Sequence, residues 1–138
     1  MTDDMAASIR RVNPPKLGTP PGYSQIVEVR AGRLVFIAGQ TALDEAGELV
    51  GKDDFAAQAA QVFENLGFAL QAMGCTASNL VKLTVFLRNM DRLSAYREAR
   101  NRFFATVTPP AAPAVTLIEV SRLYGPDFMI EIEAIAAL

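Results

Sequence analysis

The sequence predicts an α/β domain of the α+β kind: one mixed sheet with two helices on one face. Three observations predict it. Stretches that alternate apolar and polar residues, as strands do, are interleaved with stretches carrying a helical stripe, in the order β-β-α-β-α-β-β. Each helical stretch has a single apolar stripe, which is what a helix needs to cover a sheet. The chain has 138 residues, 51% of them hydrophobic, enough for one core, so residues 1–138 are expected to form one domain.

The elements follow in order. Residues 1–22 contain Pro14, Pro15, Pro20 and Pro21 and are expected to be extended or irregular, because proline fixes φ and supplies no N–H. From Tyr23 to Arg30 the pattern alternates, and Arg33 to Ala38 is a more fully apolar strand. With Ala31-Gly32 between them, the two predict a β-hairpin. A polar loop with Gly47 and Gly51 follows. Asp53 or Asp54 then caps a helix whose stripe runs through Phe55, Ala59, Val62, Phe63, Leu66, Leu70 and Met73, and Gly74 suits its left-handed stop. Cys75 reads as a small buried hydrophobe rather than a nucleophile.

Leu80–Leu87 is a strand with an apolar face at Val81, Leu83, Val85 and Leu87. Asn89 or Asp91 opens a second helix, with its stripe at Leu93, Tyr96, Ala99 or Arg100, Phe103 and Val107; Pro109 and Pro110 end it. Two strands close the chain, Ala114–Val120 and Phe128–Ala136, joined by a turn carrying Gly125-Pro126. In the last strand Phe128, Ile130, Ile132 and Ala134 share one face, and Met129, Glu131, Glu133 and Ile135 share the other. Two carboxylates on one face of an apolar strand either meet water or are held for a purpose.

Right-handed crossovers put both helices on one side of the sheet. Nothing in the chain is left to cover the other side, so burial against further copies is expected. A mean hydropathy of +0.20 agrees with apolar surface covered by a partner.

Composition excludes several chemistries. With no histidine there is no Ser-His-Asp triad and no His metal site, and with one cysteine no intramolecular disulfide. A net charge of −2 with dispersed signs gives no footprint for nucleic acid. No apolar run is long enough to span a bilayer, and the acids near the N-terminus do not fit a signal peptide, so a cytoplasmic location is expected. There is no metal or nucleotide-binding motif.

Several segments carry a resemblance. Gly22-Tyr23-Ser24-Gln25, the strand Val35-Phe36-Ile37-Ala38-Gly39-Gln40, the pair Gln58-Ala59 with Phe63-Glu64-Asn65-Leu66, the strand Val81 to Leu87 and the terminal Glu131-Ile132-Glu133-Ala134-Ile135-Ala136 occur in the order and spacing of the Rid (reactive intermediate deaminase, YjgF) family. The sequence resembles that family over nearly its whole length. The resemblance implies a chorismate-mutase-like fold and a homotrimer with small-molecule clefts between subunits. It also implies hydrolysis of imines or enamines to a carbonyl product and ammonia, with no cofactor or metal.

Carried over by the resemblance, Glu131 positions water or moves the proton, and the Leu117 N–H orients the substrate. Tyr23 and the Ala38-Gly39 loop line the cleft. The family's arginine for the substrate carboxylate falls on Val115, and a family asparagine falls on Arg97. Loss of that charge-assisted clamp implies a changed substrate preference, and Arg97 is a candidate to supply the cation from another direction. The alternative is a non-catalytic binding or regulatory trimer, and a third reading leaves Glu131 and Glu133 as interface hydrogen-bonding groups.

Overall fold

The computed structural model describes residues 7–30 and 32–138. The elements are strands β1 (Ser8–Val12), β2 (Ile26–Arg30) and β3 (Leu34–Gln40), helix α1 (Phe55–Ala72), strand β4 (Leu80–Leu87), helix α2 (Leu93–Phe104), and strands β5 (Ala114–Glu119) and β6 (Ile130–Ala137). The main sheet has four strands in the order β3-β6-β4-β5. Only β6 runs against the rest, pairing antiparallel with β3 and β4, while β4 and β5 are parallel. The mixed sheet and the two helices are therefore as expected.

One strand and one pairing differ from the sequence reading. Residues 8–12, within the stretch expected to be irregular, form β1, and the prolines sit after it. Among the described residues the expected hairpin between the second and third strands does not form. β2 instead runs antiparallel to β1, from Ser8 opposite Arg30 to Val12 opposite Ile26. Of the expected turn, Ala31 lies outside the described residues. The reason lies in the side chains. β2 alternates Val27 and Val29 with Glu28 and Arg30, which suits a ribbon with one wet face, and Arg10 Nε meets Glu28 Oε1 at 3.0 Å. β3 is apolar on both faces and joins β6 in the main sheet. There Arg33 N–H donates to Leu138 O at 3.0 Å and Leu138 N–H to Arg33 O at 2.9 Å.

The helices form as their termini dictate. Asp54 caps α1 by accepting the Ala57 N–H at 3.1 Å. Gly74 takes φ +73° after its end, as a left-handed stop requires. Asn89 caps a single 3-10 turn, Met90–Arg92, that leads into α2. Phe55, Ala59, Val62, Phe63, Leu66 and Leu70 of α1 pack with Tyr96, Ala99 and Phe104 of α2. All of them meet one face of the sheet, made by Ile37, Leu83, Val85, Leu87, Ile130, Ile132 and Ala134. Cys75 is buried there, and burial pushes its thiol pKa up, so it stays protonated.

The opposite face carries no helix. Phe36 of β3 is 72% exposed on it and Ile118 of β5 is 37% exposed. Lys82, Thr84, Glu131 and Glu133 stand between these apolar side chains.

One buried polar residue ties the layers together. Gln58 of α1 donates through Nε2 to Asp127 O at 2.8 Å and Gly51 O at 3.1 Å, and its Oε1 accepts the Met129 N–H at 2.9 Å. It thereby fixes where the loop enters β6. Gln58→Ala is expected to orphan these backbone groups and cost about 2–4 kcal/mol. Urea unfolding at fixed protein concentration reads this as a lower midpoint with an unchanged slope. A loss below about 1 kcal/mol would mean that water takes over the three bonds.

Candidate active site

The site is built on β6 and on an irregularity in β3. Between the pairs Ile37–Ala134 and Gln40–Ile132, β3 spends one residue more than β6, which makes a β-bulge at Ala38-Gly39. Gln40 Nε2 donates to Ala38 O at 3.0 Å within it. The bulge brings the backbone of Gly39 against the side chain of Glu131. A Cβ on residue 39 would overlap Oε2 of Glu131 and stand 2.8 Å from its Cδ. Only glycine permits that approach.

Glu131 is half-buried on the helix-free face, opposite Phe86 of β4. Burial raises its carboxyl pKa above the ordinary value, and the negative charge of Glu133 raises it further. No described residue hydrogen-bonds its carboxylate. Glu133 lies opposite Thr84 and close to Lys82. The Lys82 ammonium, whose pKa burial lowers while Glu133 opposes the shift, donates to Thr116 Oγ1 at 2.7 Å and to Leu83 O at 3.2 Å.

Gly39 also lines a cavity of about 680 Å³ with Gln40, Thr41, Asn65, Phe68 and Tyr124. Asp44 and Glu45 are at its border, and no lysine or arginine lines it. Asn65 of α1 shapes it by donating to Thr41 O at 3.1 Å and Leu43 O at 2.9 Å. The Tyr124 hydroxyl meets Thr41 Oγ1 at 2.7 Å, and its ring lies 4.7 Å from that of Phe128. Tyr124 and Thr41 were not among the sequence candidates. An aromatic residue set directly before Gly125-Pro126 was the one signal for Tyr124.

The other candidates lie elsewhere in the chain. Val115 and Leu117 of β5 pair with Leu83 and Val85, and their side chains pack on the helix-side core. β5 is the far edge of the sheet, so part of its backbone has no strand partner in the chain. Tyr23 is next to that edge, since the Ser24 N–H donates to Pro113 O at 3.0 Å. Arg97 is exposed on α2. One chain thus unites Ala38, Gly39 and Glu131 on one side of the sheet, and sets Tyr23, Val115 and Leu117 on the other. Arg100, offered as an alternative stripe position, is the buried arginine of α2: it donates to Asn101 Oδ1 at 3.1 Å and to Pro21 O at 3.5 Å.

A small two-layer α/β protein with a raised-pKa carboxylate held against a backbone bulge, beside an open cavity, is the class that fold and site define. The chain belongs to the Endoribonuclease L-PSP family, whose model matches residues 16–138; its relatives include proteins named for the Rid and RutC families. A RutC family protein of Synechocystis is 39% identical over 117 residues, covering 84% of this chain and 85% of the relative. A mouse protein named 2-iminobutanoate/2-iminopropanoate deaminase is 34% identical, over 83% of this chain and 79% of its own length. Among solved structures, the Rid family protein YyfB of Yersinia pestis superposes with a TM-score of 0.83 at 35% identity, covering 94% of this chain and 98% of the other. The Escherichia coli YjgF gene product gives 0.69 at 32% identity, over 91% and 92%. Among the described residues no helix is long and apolar enough to cross a membrane.

Proposed function

We propose that the protein is a homotrimeric, cofactor-independent hydrolase that converts an imine, or the enamine in equilibrium with it, to a carbonyl compound and ammonia. The observation that carries this reading is the Glu131 carboxylate, packed against Gly39, which lines the larger cavity, and with its pKa raised by burial. A carboxylate so placed accepts a proton from water as the water oxygen attacks the imine carbon. Attack breaks the C=N π bond, and the nitrogen takes up the proton that Glu131 accepted, giving a carbinolamine. Its hydroxyl proton then passes through Glu131 to the nitrogen, the C–N bond breaks, ammonia leaves and the carbonyl forms. The activity in the name of the mouse relative supports the same chemistry.

The two separated groups in one chain support a site completed between copies. Gly39 and Glu131 from one copy would face Tyr23 and the Leu117 N–H of the next, and the exposed Phe36 and Ile118 would be covered in the same step. Val115 in place of the family arginine would shift the substrate preference, and Arg97, exposed on α2, is the candidate to supply a cation to such a cleft. A cytoplasmic location goes with this reading.

The test is an imine-hydrolysis assay. An amino-acid oxidase and an amine oxidase generate imines, semicarbazide competes as the trap, and Glu131→Gln is the control. Activity above background that disappears in the variant is the expected result. No activity on any imine would remove the hydrolase reading and leave a binding protein. Sedimentation of the purified chain as a monomer would remove the trimer.

A further inference from the structure

A second, smaller cavity, of about 360 Å³, lies at the end of the sheet where β5 turns into β6. Its walls are Arg88, Arg122, Leu123, Tyr124, Gly125 and Pro126. Arg88 follows β4 directly, and the ladder continues through it, because its N–H donates to Met129 O at 3.2 Å. The alternation that sets Phe86 opposite Glu131 puts Arg88 on the same helix-free face, about 7 Å further along the strand.

Two arginines line this space, and among the described residues no carboxylate comes within 4.0 Å of either guanidinium, the described ion pair being Arg10–Glu28. Like charges set together without a counter-charge repel, and an anion between them relieves the repulsion. The loop carrying Arg122 is tied down rather than loose. Arg88 Nη1 donates to Pro126 O at 2.8 Å, Val120 N–H to Leu87 O at 2.8 Å and Phe128 N–H to Gly125 O at 3.3 Å. Gly125 lies so close to the Phe128 ring that a Cβ would stand 2.7 Å from Cε2. The bond from Arg88 to Pro126 leaves the remaining N–H donors of its fork for a ligand. A cation fixed in place before binding loses less freedom on binding.

We propose that Arg88 and Arg122 form an anion-binding subsite for a carboxylate of the ligand. Tyr124 separates it from the larger cavity, which has no cation among its lining residues. The ligand class is then a small molecule with a neutral body in the larger cavity and a carboxylate at its far end. For the word substrate, though not for binding, this rests on the hydrolase reading above.

The experiment uses malonate, an unreactive dianion, titrated calorimetrically into the 138-residue protein at low salt. Saturable binding is expected, weakening as sodium chloride is raised. Arg122→Met and Arg88→Met are each expected to weaken it at least about tenfold, Arg122→Lys less, and Arg30→Met, at an exposed position on β2, less than about twofold. Thermal melting shows that each variant folds. Absence of saturable binding to the wild type, or binding that survives both Met variants, overturns the proposal. In the imine assay, both variants should raise KM for imino acids with kcat held, and leave imines made from primary amines unchanged. Arginine-dependent malonate binding without imine hydrolysis would keep the subsite and remove the hydrolase. Hydrolysis whose KM ignores both arginines would do the reverse.

Discussion

Glu131→Gln is expected to lower imine hydrolysis by about 100- to 10,000-fold, the range associated with loss of a positioned acid or base. The amide keeps the shape of the side chain and its place against Gly39, but it cannot take a proton from water. Little stability should be lost. Because the folded protein raises the pKa of Glu131, folding favours the protonated carboxyl. That contribution is fully present below the ordinary carboxylate pKa and is lost as pH rises through the raised value. Above that raised value it is gone, and a neutral amide is there neutral to stabilising. Activity follows the opposite direction, because the working form is the carboxylate: it should rise with pH through the raised pKa. Glu133→Gln removes the neighbouring negative charge and should move that rise to lower pH. A kcat/KM profile that is the same in both proteins would show that Glu133 does not tune the group.

Gly39→Ala is expected to cost about 100-fold in kcat/KM, since displacement of a reacting group by about 1 Å can cost that much. The added methyl group needs the volume that Oε2 and Cδ of Glu131 occupy, so the carboxylate must swing away. It is the end of a flexible side chain, and stability should change by less than about 1 kcal/mol. An unchanged urea midpoint with a large loss of activity is therefore the expected pair of measurements. Full activity in Gly39→Ala would show that the contact between residue 39 and the carboxylate has no part in the reaction.

Much of the main sheet was legible because periodicity and caps reported it directly. β4 spans Leu80–Leu87 as its apolar alternation indicated, Asp54 caps α1, and the two faces of β6 divide as its alternation requires. What pattern could not give was partnership. The apolar run of β3 looks the same whether it pairs with β2 or with β6, and the choice depends on the edge that β6 and Leu138 present, residues a hundred positions away. β1 was missed because the prolines that follow it dominate the local signal. In the site, Glu131 and Gly39 could be named from their segments, but their contact is created by the bulge, which leaves no period to read. Tyr124, Arg88 and Arg122 meet only because the turn between β5 and β6 folds back toward the end of β4.

The bulge in β3 also separates two things that most active sites leave joined. The ladder before Ala38-Gly39 is regular from Leu34 to Ile37, and one surplus residue holds the Gln40–Ile132 pair out of phase with it. Loss of that single residue would bring them back into step, leaving the pairs from Leu34 to Ile37, the helices and the core as they are. Gly39 would be drawn back from Glu131. A descendant of this chain could therefore lose its chemistry by deletion of one codon and remain a well-folded protein, and a length difference between Ile37 and Gln40 is the place to look for such a descendant.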